Sequence, residues 1–226
     1  MRLILDLNFE GKHVVIVGGG AEAYRKILSF LDADSKILVV SRKFLDDIHT
    51  LHQLQKIDLL KKDIVDAEAF VNSLSNSPDV LVAVTDDHNL NFQLAKHAKA
   101  AGCMVYCVDN PAISDFMFPA LAKIDDVKIA VSTSGKSPTM ARVLRQKIEK
   151  MITNEDLLQI KLQDYIRPIL KQQIPEQKIR KIVLSEIVED AHINKLLRKG
   201  KLEAAEQFAL GIAESFRDKN QALKEA

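Results

Sequence analysis

The sequence predicts an α/β protein: an N-terminal parallel sheet, then a small α+β segment, then a helical C-terminal tail. Short β-branched runs alternate with helical patterns over residues 13–108, as βαβ units with a mostly buried parallel sheet require. A run of consecutive glycines directly follows the first β-branched run. Beyond Pro111 the period changes, and from residue 154 the chain is rich in Leu, Ile, Lys, Glu and Gln.

Each element has a local reason. Residues 13–17 (HVVIV) form the first strand and end in Gly18-Gly19-Gly20. A helix follows with Ile27, Leu28 and Leu31 on one face. KILVV at 36–40 is the second strand, a polar helix covers about 43–55, and a short strand lies near 57–60. A short helix at 66–74 precedes DVLVAV at 79–84, a strong apolar strand. The helix at 88–101 repeats Leu90, Leu94 and Ala98 at helical spacing, and CMVYCV at 103–108 closes the alternation. FMFPALAKI and VKIAVSTS read as two strands joined near Asp125-Asp126. Ser137-Pro138 opens a helix running to about Ile152, with Ser as N-cap and Pro in the first turn. Three or four short helices follow, with Pro168, Pro175, Gly200 and Gly211 as breakers. The expected divisions are 1–111, 112–152 and 153–226.

Composition removes several function classes. The 226 residues carry 32 Lys+Arg against 31 Asp+Glu, a net charge of +1, which leaves no electrostatic footprint for nucleic acid. Trp is absent and aromatics are 5%, which argues against a stacking platform for single strands. No apolar run approaches the roughly 20 residues that span a bilayer, and Asp6 and Glu10 break the N-terminal stretch that a secretory signal needs. Cys103 and Cys107 make neither a disulfide framework nor a four-ligand zinc site. The expectation is a cytoplasmic, reduced protein without nucleic-acid or membrane partners.

Four constellations carry chemistry. Gly18-Gly19-Gly20-Ala21-Glu22-Ala23 is a G-x-G-x-x-A between strand and helix. Gly18 suits the tight turn, Gly20 lets backbone N–H groups of the turn reach a pyrophosphate, and Ala23 permits close helix packing. This makes the first half Rossmann-like, although a glycine turn without nucleotide has the same spelling. The second strand ends in Ser41-Arg42-Lys43 instead of the acid that grips a ribose 2′-OH. Arg42 there can stack on adenine, face a 2′-phosphate, or belong to a solvated turn, so NAD and NADP both remain open physically. At the end of the third apolar strand, Thr85 is placed for a cofactor and Asp87 for capping the next helix. Asp109, after the last strand, is placed for proton transfer, or else starts the turn before Asn110-Pro111. Finally, Ser132, Thr133, Ser134 and Lys136 cluster before a helix start, with Arg142 and Arg145 on that helix. That segment suits an anion, caps its helix, or does both.

The remaining candidates read as structural. His49 and His52 stand three apart on a polar helix without the acids of a metal site, so no metal is expected. Cys103 and Cys107 read as small core residues.

Taken together, LDLNFEGKHVVIVGGGAEAYRK, VTDDHNLN, VDNPAISDFMFPA and VSTSGKSPTMARVLRQKIE resemble, in order and spacing, the precorrin-2 dehydrogenase (sirohydrochlorin synthase) family, the dehydrogenase module of siroheme synthase. The resemblance covers about residues 2–152. It implies oxidation of precorrin-2, an eight-carboxylate tetrapyrrole, to sirohydrochlorin with NAD as hydride acceptor. The family's active-site Asp falls on Asp109, either as general base or as a group orienting the macrocycle. Its cofactor contacts fall on Gly18, Gly20, Ala21 and Glu22 and on Ser41, Arg42 and Lys43. Its hydroxyl loop falls on Ser132, Thr133 and Ser134, with Lys136 and Arg142 beside it for the substrate carboxylates. The resemblance also implies a homodimer built on about 112–150. Some members insert Fe2+ or Co2+ as well, and a carrier module without chemistry is the remaining alternative. The family commonly has Val in place of Glu22, Gly in place of Ser134, and Asn-Val-Val-Asp in place of Tyr106-Cys107-Val108-Asp109.

Overall fold

A computed structural model describes residues 3–74 and 78–225, with side chains described through residue 218. The chain resolves into two compact units, Leu3–Phe118 and Pro119–Ala226.

In the first unit, strands and helices alternate as β1 (His13–Val17), α1 (Ala21–Leu31), β2 (Lys36–Ser41), α2 (Asp46–Gln53), β3 (Asp58–Lys61), α3 (Ala67–Asn72), β4 (Val80–Ala83), α4 (His88–Ala100) and β5 (Met104–Cys107). The five strands lie in the order β3-β2-β1-β4-β5, and every neighbouring pair is parallel. This is the predicted parallel sheet. Its apolar runs are continuous because both faces are covered. Successive side chains point to opposite faces of a strand. Val14 and Ile16 therefore pack with Ile27, Phe30 and Ile48 under α1 and α2, while Val15 and Val17 pack with Phe70, Leu94 and Ala98 under α3 and α4. Emptying the fully buried Ile16 site with alanine costs about 2–5 kcal/mol. The chain winds from β1 out to β3, then returns to β4 on the other side of β1. Such a reversal leaves a crevice at the carboxyl ends of the strands, where open α/β sheets bind ligands.

The helix starts follow local chemistry. Asp66 accepts from Ala69 N–H and Asp87 from Leu90 N–H, each at 2.9 Å. Asp87 is thus the helix cap expected of it. α1 is different: it starts at Gly20, which offers no side-chain cap.

The second unit opens with the hairpin β6 (Ala120–Ile124) and β7 (Val127–Val131), antiparallel with Ile124 opposite Val127. The strands are shorter than FMFPALAKI and VKIAVSTS suggest. Pro119 has no N–H for a ladder, and Phe116 and Phe118 instead pack against Tyr106 in the first unit's core. The turn is at Asp125, whose φ of 51° is tolerated by Asp. α5 (Pro138–Glu149) begins as predicted, with Ser137 accepting from Met140 N–H at 3.2 Å and Pro138 in the first turn.

Four helices follow: α6 (Asn154–Gln173), α7 (Gln177–Glu189), α8 (Ala191–Arg198) and α9 (Leu202–Glu225). Their number fits the expectation, but α6 has 20 residues and α9 has 24, so these two are not short. Pro168 and Gly211 lie inside helices and break neither. Burial decides this: Leu162, Ile166 and Leu170 of α6 and Ala205, Ala209 and Ala213 of α9 share one core, and tertiary packing outweighs propensity. The breakers that act are Pro175, between α6 and α7, and Gly200, whose φ of 70° ends α8 in the left-handed conformation that favours glycine.

Candidate active site

The crevice predicted by topology is a cleft of about 900 Å³ lined by the ends of β1, β2 and β4, the residues after β3, and the start of α1. All eight residues read from sequence as cofactor-binding line it: Gly18, Gly20, Ala21, Glu22, Ser41, Arg42, Lys43 and Thr85.

The three glycines have three different physical reasons. Gly18 has φ +138°, and a Cβ on it would lie 2.5 Å from the Val84 carbonyl oxygen. A Cβ on Gly19 would lie 2.0 Å from the Lys43 carbonyl oxygen. These two are glycine so that β1, β2 and β4 can approach each other. A Cβ on Gly20 would meet no protein atom within 4 Å. Its missing side chain leaves open the floor of the cleft, beside the uncapped positive end of α1. A dinucleotide diphosphate fits this cradle: it needs close backbone approach and N–H donors at a helix start. When bound, a nicotinamide supplies the hydride acceptor that no side chain provides. Gly19, the unassigned middle position of the motif, is thus required by packing that only strand adjacency reveals.

Charge in the cleft is mixed. Glu22 is ion-paired to Lys26 at 2.9 Å and to Arg25, so its charge is neutralised within α1. Lys26 in turn lies over the rings of Phe118 and Tyr106, 4.1 and 5.1 Å from their centres. Arg42 Nε lies 3.8 Å from Asp63 Oδ1. The second strand lacks a terminal acid, as its sequence says, but Asp63 brings one from the end of β3.

Beside the cleft, a network gathers around Asn91 of α4, which is fully buried. Its Oδ1 accepts from Thr85 N–H at 2.9 Å and from the Thr85 hydroxyl at 2.7 Å. Its amide nitrogen donates to the Thr85 carbonyl and to Asp109 Oδ2, each at 3.0 Å. An amide of this size has two donors and two acceptor sites, so Asn91 is saturated and ties the end of β4 to the end of β5.

Asp109 is the hub. Oδ2 also receives His88 Nδ1, and Oδ1 lies 3.0 Å from Cys107 Sγ. The turn at Asn110-Pro111 is held by Asn110, whose side chain accepts from Ala112 N–H at 3.1 Å. The Asp109 side chain has no part in that turn contact. Burial pushes the Asp109 carboxyl up, but hydrogen bonds from Cys107, Asn91 and His88 outweigh it and hold it below the ordinary aspartate range. Burial, and then the neighbouring carboxylate, push the Cys107 thiol up to about 11, so it stays a protonated donor. Both cysteines are buried, as core residues are, but Cys107 also serves Asp109.

Sequence reasoning missed His88 and Asn91. Their spacing of three across the start of one helix, after Thr85, is the signal that was there. Among the described residues no three His, Cys, Asp or Glu side chains gather to hold a metal.

The hydroxyl-rich segment belongs to the second unit. The Thr133 hydroxyl accepts from Ser137 N–H and donates to Ser137 C=O, each at 3.0 Å. Ser132 Oγ accepts from Ser134 N–H at 3.2 Å. Ser134 has φ 53° and Gly135 has φ 82°, so the loop turns through two left-handed residues. Ser132, Ser134, Lys136 and Arg142 are exposed. Thr133 and Ser137 are committed to loop closure and capping, which leaves these four side chains to face solvent.

Comparison with known proteins agrees with this geometry. The family described as "Putative NAD(P)-binding" matches residues 5–120, and the "Sirohaem biosynthesis protein central" family matches residues 125–151. The precorrin-2 dehydrogenase of Methanosarcina barkeri is 29% identical over 217 residues, 96% of this chain and 94% of that protein. The siroheme synthase of Methylococcus capsulatus is 33% identical over 203 residues, 89% of this chain but 41% of that protein. The chain thus spans less than half of these siroheme synthases, 41% of that of Actinobacillus pleuropneumoniae and 30% of that of Psychrobacter arcticus. The solved structure of SirC, a precorrin-2 dehydrogenase, shares the fold at a TM-score of 0.73 and 20% identity, covering 93% of this chain and all of that one. Among the described residues no helix is long and apolar enough to cross a membrane. The chain belongs to the precorrin-2 dehydrogenase and siroheme synthase family, with an NAD(P)-binding domain over residues 5–120.

Proposed function

We propose that this chain oxidises precorrin-2 to sirohydrochlorin, with NAD as the hydride acceptor, in the cytoplasm. The observation that carries the reading is the Asp109 network at the carboxyl edge of the sheet, joined through Asn91 to Thr85 of the dinucleotide-shaped cleft. Gly18, Gly20, Ala21, Glu22, Ser41, Arg42, Lys43 and Thr85 form the cofactor wall. Asp109 is the ionised group at the heart of the reaction centre. Ser132, Ser134, Lys136 and Arg142 serve the carboxylates of the macrocycle, with Thr133 holding the loop that presents them, since clustered cations and hydroxyls suit a polyanion. Asp63 supports NAD over NADP: its carboxylate would repel a 2′-phosphate and occupies Arg42, the group that would receive one.

The working protein is a homodimer in this proposal. Met140, Leu144, Ile148 and Met151 recur at helical spacing along α5 and just beyond it, and all are exposed, Met151 at 72%. An apolar stripe of this kind marks an interaction face. Sedimentation should give twice the 25.3 kDa chain mass, and a monomer at micromolar concentration refutes the dimer. The domain division 1–111, 112–152 and 153–226 is part of the same proposal: nucleotide binding, dimerisation with substrate contact, and a helical tail.

Anaerobic incubation with precorrin-2 and either NAD+ or NADP+ tests the activity. Absorbance should report sirohydrochlorin with NAD+, slower turnover with NADP+, and turnover at least 100-fold lower in Asp109→Asn. No oxidation with either dinucleotide rejects the reading.

A further inference from the structure

We propose that His88 is the proton acceptor of this oxidation, with Asp109 acting as the group that orients its ring. The inference rests on the function proposed above. His88 is the first residue of α4, and its Nδ1 is bonded to Asp109 Oδ2. Its side chain is 84% exposed, against 17% for Asp109. The two groups therefore divide the work by access: the carboxylate is enclosed and the imidazole is presented.

The hydrogen bonds fix which nitrogen is free. Asp109 receives Asn91 and His88 on Oδ2 and Cys107 on Oδ1. An ionised carboxylate only accepts, so Nδ1 of a neutral His88 carries the hydrogen and Nε2 keeps its lone pair. A carboxylate on Nδ1 sets this tautomer and stabilises the imidazolium that forms when Nε2 takes a proton. Asp109, with donors on both oxygens, has its lone pairs already engaged. On the same turn as His88 stand Asp86, which is exposed, and Asp87, whose carboxylate is committed to Leu90 N–H. Asp109 comes from the end of β5, and Cys107 faces its far oxygen as a neutral thiol.

Oxidation of a CH–CH unit to C=C removes one hydride and one proton. The hydride goes to the nicotinamide of the proposed cofactor. The second C–H bond breaks toward Nε2, its electron pair becomes the new π bond, and His88 becomes imidazolium against Asp109.

Two variants separate this role from simple support of Asp109. His88→Asn keeps a donor near the Nδ1 position and lacks Nε2, while His88→Gln tests removal of the ring with a longer amide. Both should lower kcat with precorrin-2 about 100-fold or more and leave NAD+ binding within threefold. Both should also abolish the acid limb of kcat/KM. Retention of more than half of the wild-type kcat by His88→Asn overturns the proposal, because the ring would then serve only as a donor. Nitrogen-15 NMR of the imidazoles reads the dyad without turnover. Neutral His88 should be protonated on Nδ1. A neutral ring protonated on Nε2 overturns the proposal. If the wild-type chain oxidises no precorrin-2 with either dinucleotide, the functional reading fails and this role fails with it, whereas loss confined to the His88 variants supports it.

Discussion

The amide nitrogen of Asn91 lies 3.0 Å from Oδ2 of Asp109, while the rest of that amide is consumed by Thr85. One buried side chain therefore sets both the carboxylate of the proposed reaction centre and the strand end that faces the proposed cofactor cleft. Asn91→Ala leaves the Thr85 N–H and one side of Asp109 without their partner. Each orphaned buried polar group costs about 1–3 kcal/mol. Urea denaturation should show a loss of about 3 kcal/mol, and kcat should fall more than KM for NAD+.

The glycine turn separates folding from binding. Gly20→Ala should leave the unfolding midpoint nearly unchanged, within about 0.5 kcal/mol, because nothing lies within 4 Å of the new Cβ. It should weaken NAD+ binding at least tenfold by calorimetry. Gly19→Ala forces a Cβ against the backbone carbonyl of Lys43 and should cost about 3 kcal/mol by overpacking. Equal effects of the two substitutions would show that the cleft floor is not where the dinucleotide lies.

Three carboxyls bias acid stability in one direction. The Lys12 ammonium and the His13 N–H hold Asp79 low, the Thr153 N–H and hydroxyl hold Asp156 low, and at Asp109 three donors overcome burial. A folded-state value below the unfolded value of about 3.9 means that the stabilisation is complete above that pH and disappears as pH falls through the lower folded value. Urea midpoints measured from pH 6 down to pH 2 should fall, and Asp79→Asn should flatten that slope. A slope unchanged in Asp79→Asn would remove Asp79 from the account.

The Arg42–Asp63 pair is exposed on both sides, so it adds little stability; its effect is expected in cofactor choice. Asp63→Asn should shift the ratio of kcat/KM for NADP+ over NAD+ upward about tenfold, equivalent to about 1.4 kcal/mol, with the unfolding midpoint unchanged. An unmoved ratio would show that Asp63 does not select the dinucleotide.

Ser134 has φ 53°, where an L-residue costs about 1–2 kcal/mol relative to its normal region. Ser134→Gly removes that cost and adds unfolded-chain entropy. Thermal unfolding should show a net gain of about 0.5–1 kcal/mol.

Legibility followed distance along the chain. Asp87 and Ser137 stood out as caps because each acts within a few residues of itself; Asp109 was marked by its place after an apolar strand and by the family resemblance, not by the distant partners it meets. His88 and Asn91 look like ordinary residues of a helix start. They become part of the site only because the first turn of α4 meets the ends of β4 and β5 and brings them to Asp109, eighteen or more residues away. Pro168 and Gly211 mislead for the converse reason: their local cost is real, but the shared core of α6 and α9 outweighs it.

By itself the sequence determined the alternation of strand and helix, the parallel sheet, the glycine turn and the helix caps. Those are set by side-chain period, backbone freedom and hydrogen bonds within one turn, all local quantities. Tertiary structure alone decided that Gly19 must yield to the Lys43 carbonyl, that β3 supplies the acid β2 lacks, and that Asn91 joins Thr85 to Asp109. These depend on which strand ends become neighbours, and that adjacency is fixed by burying both faces of the β3-β2-β1-β4-β5 sheet at once.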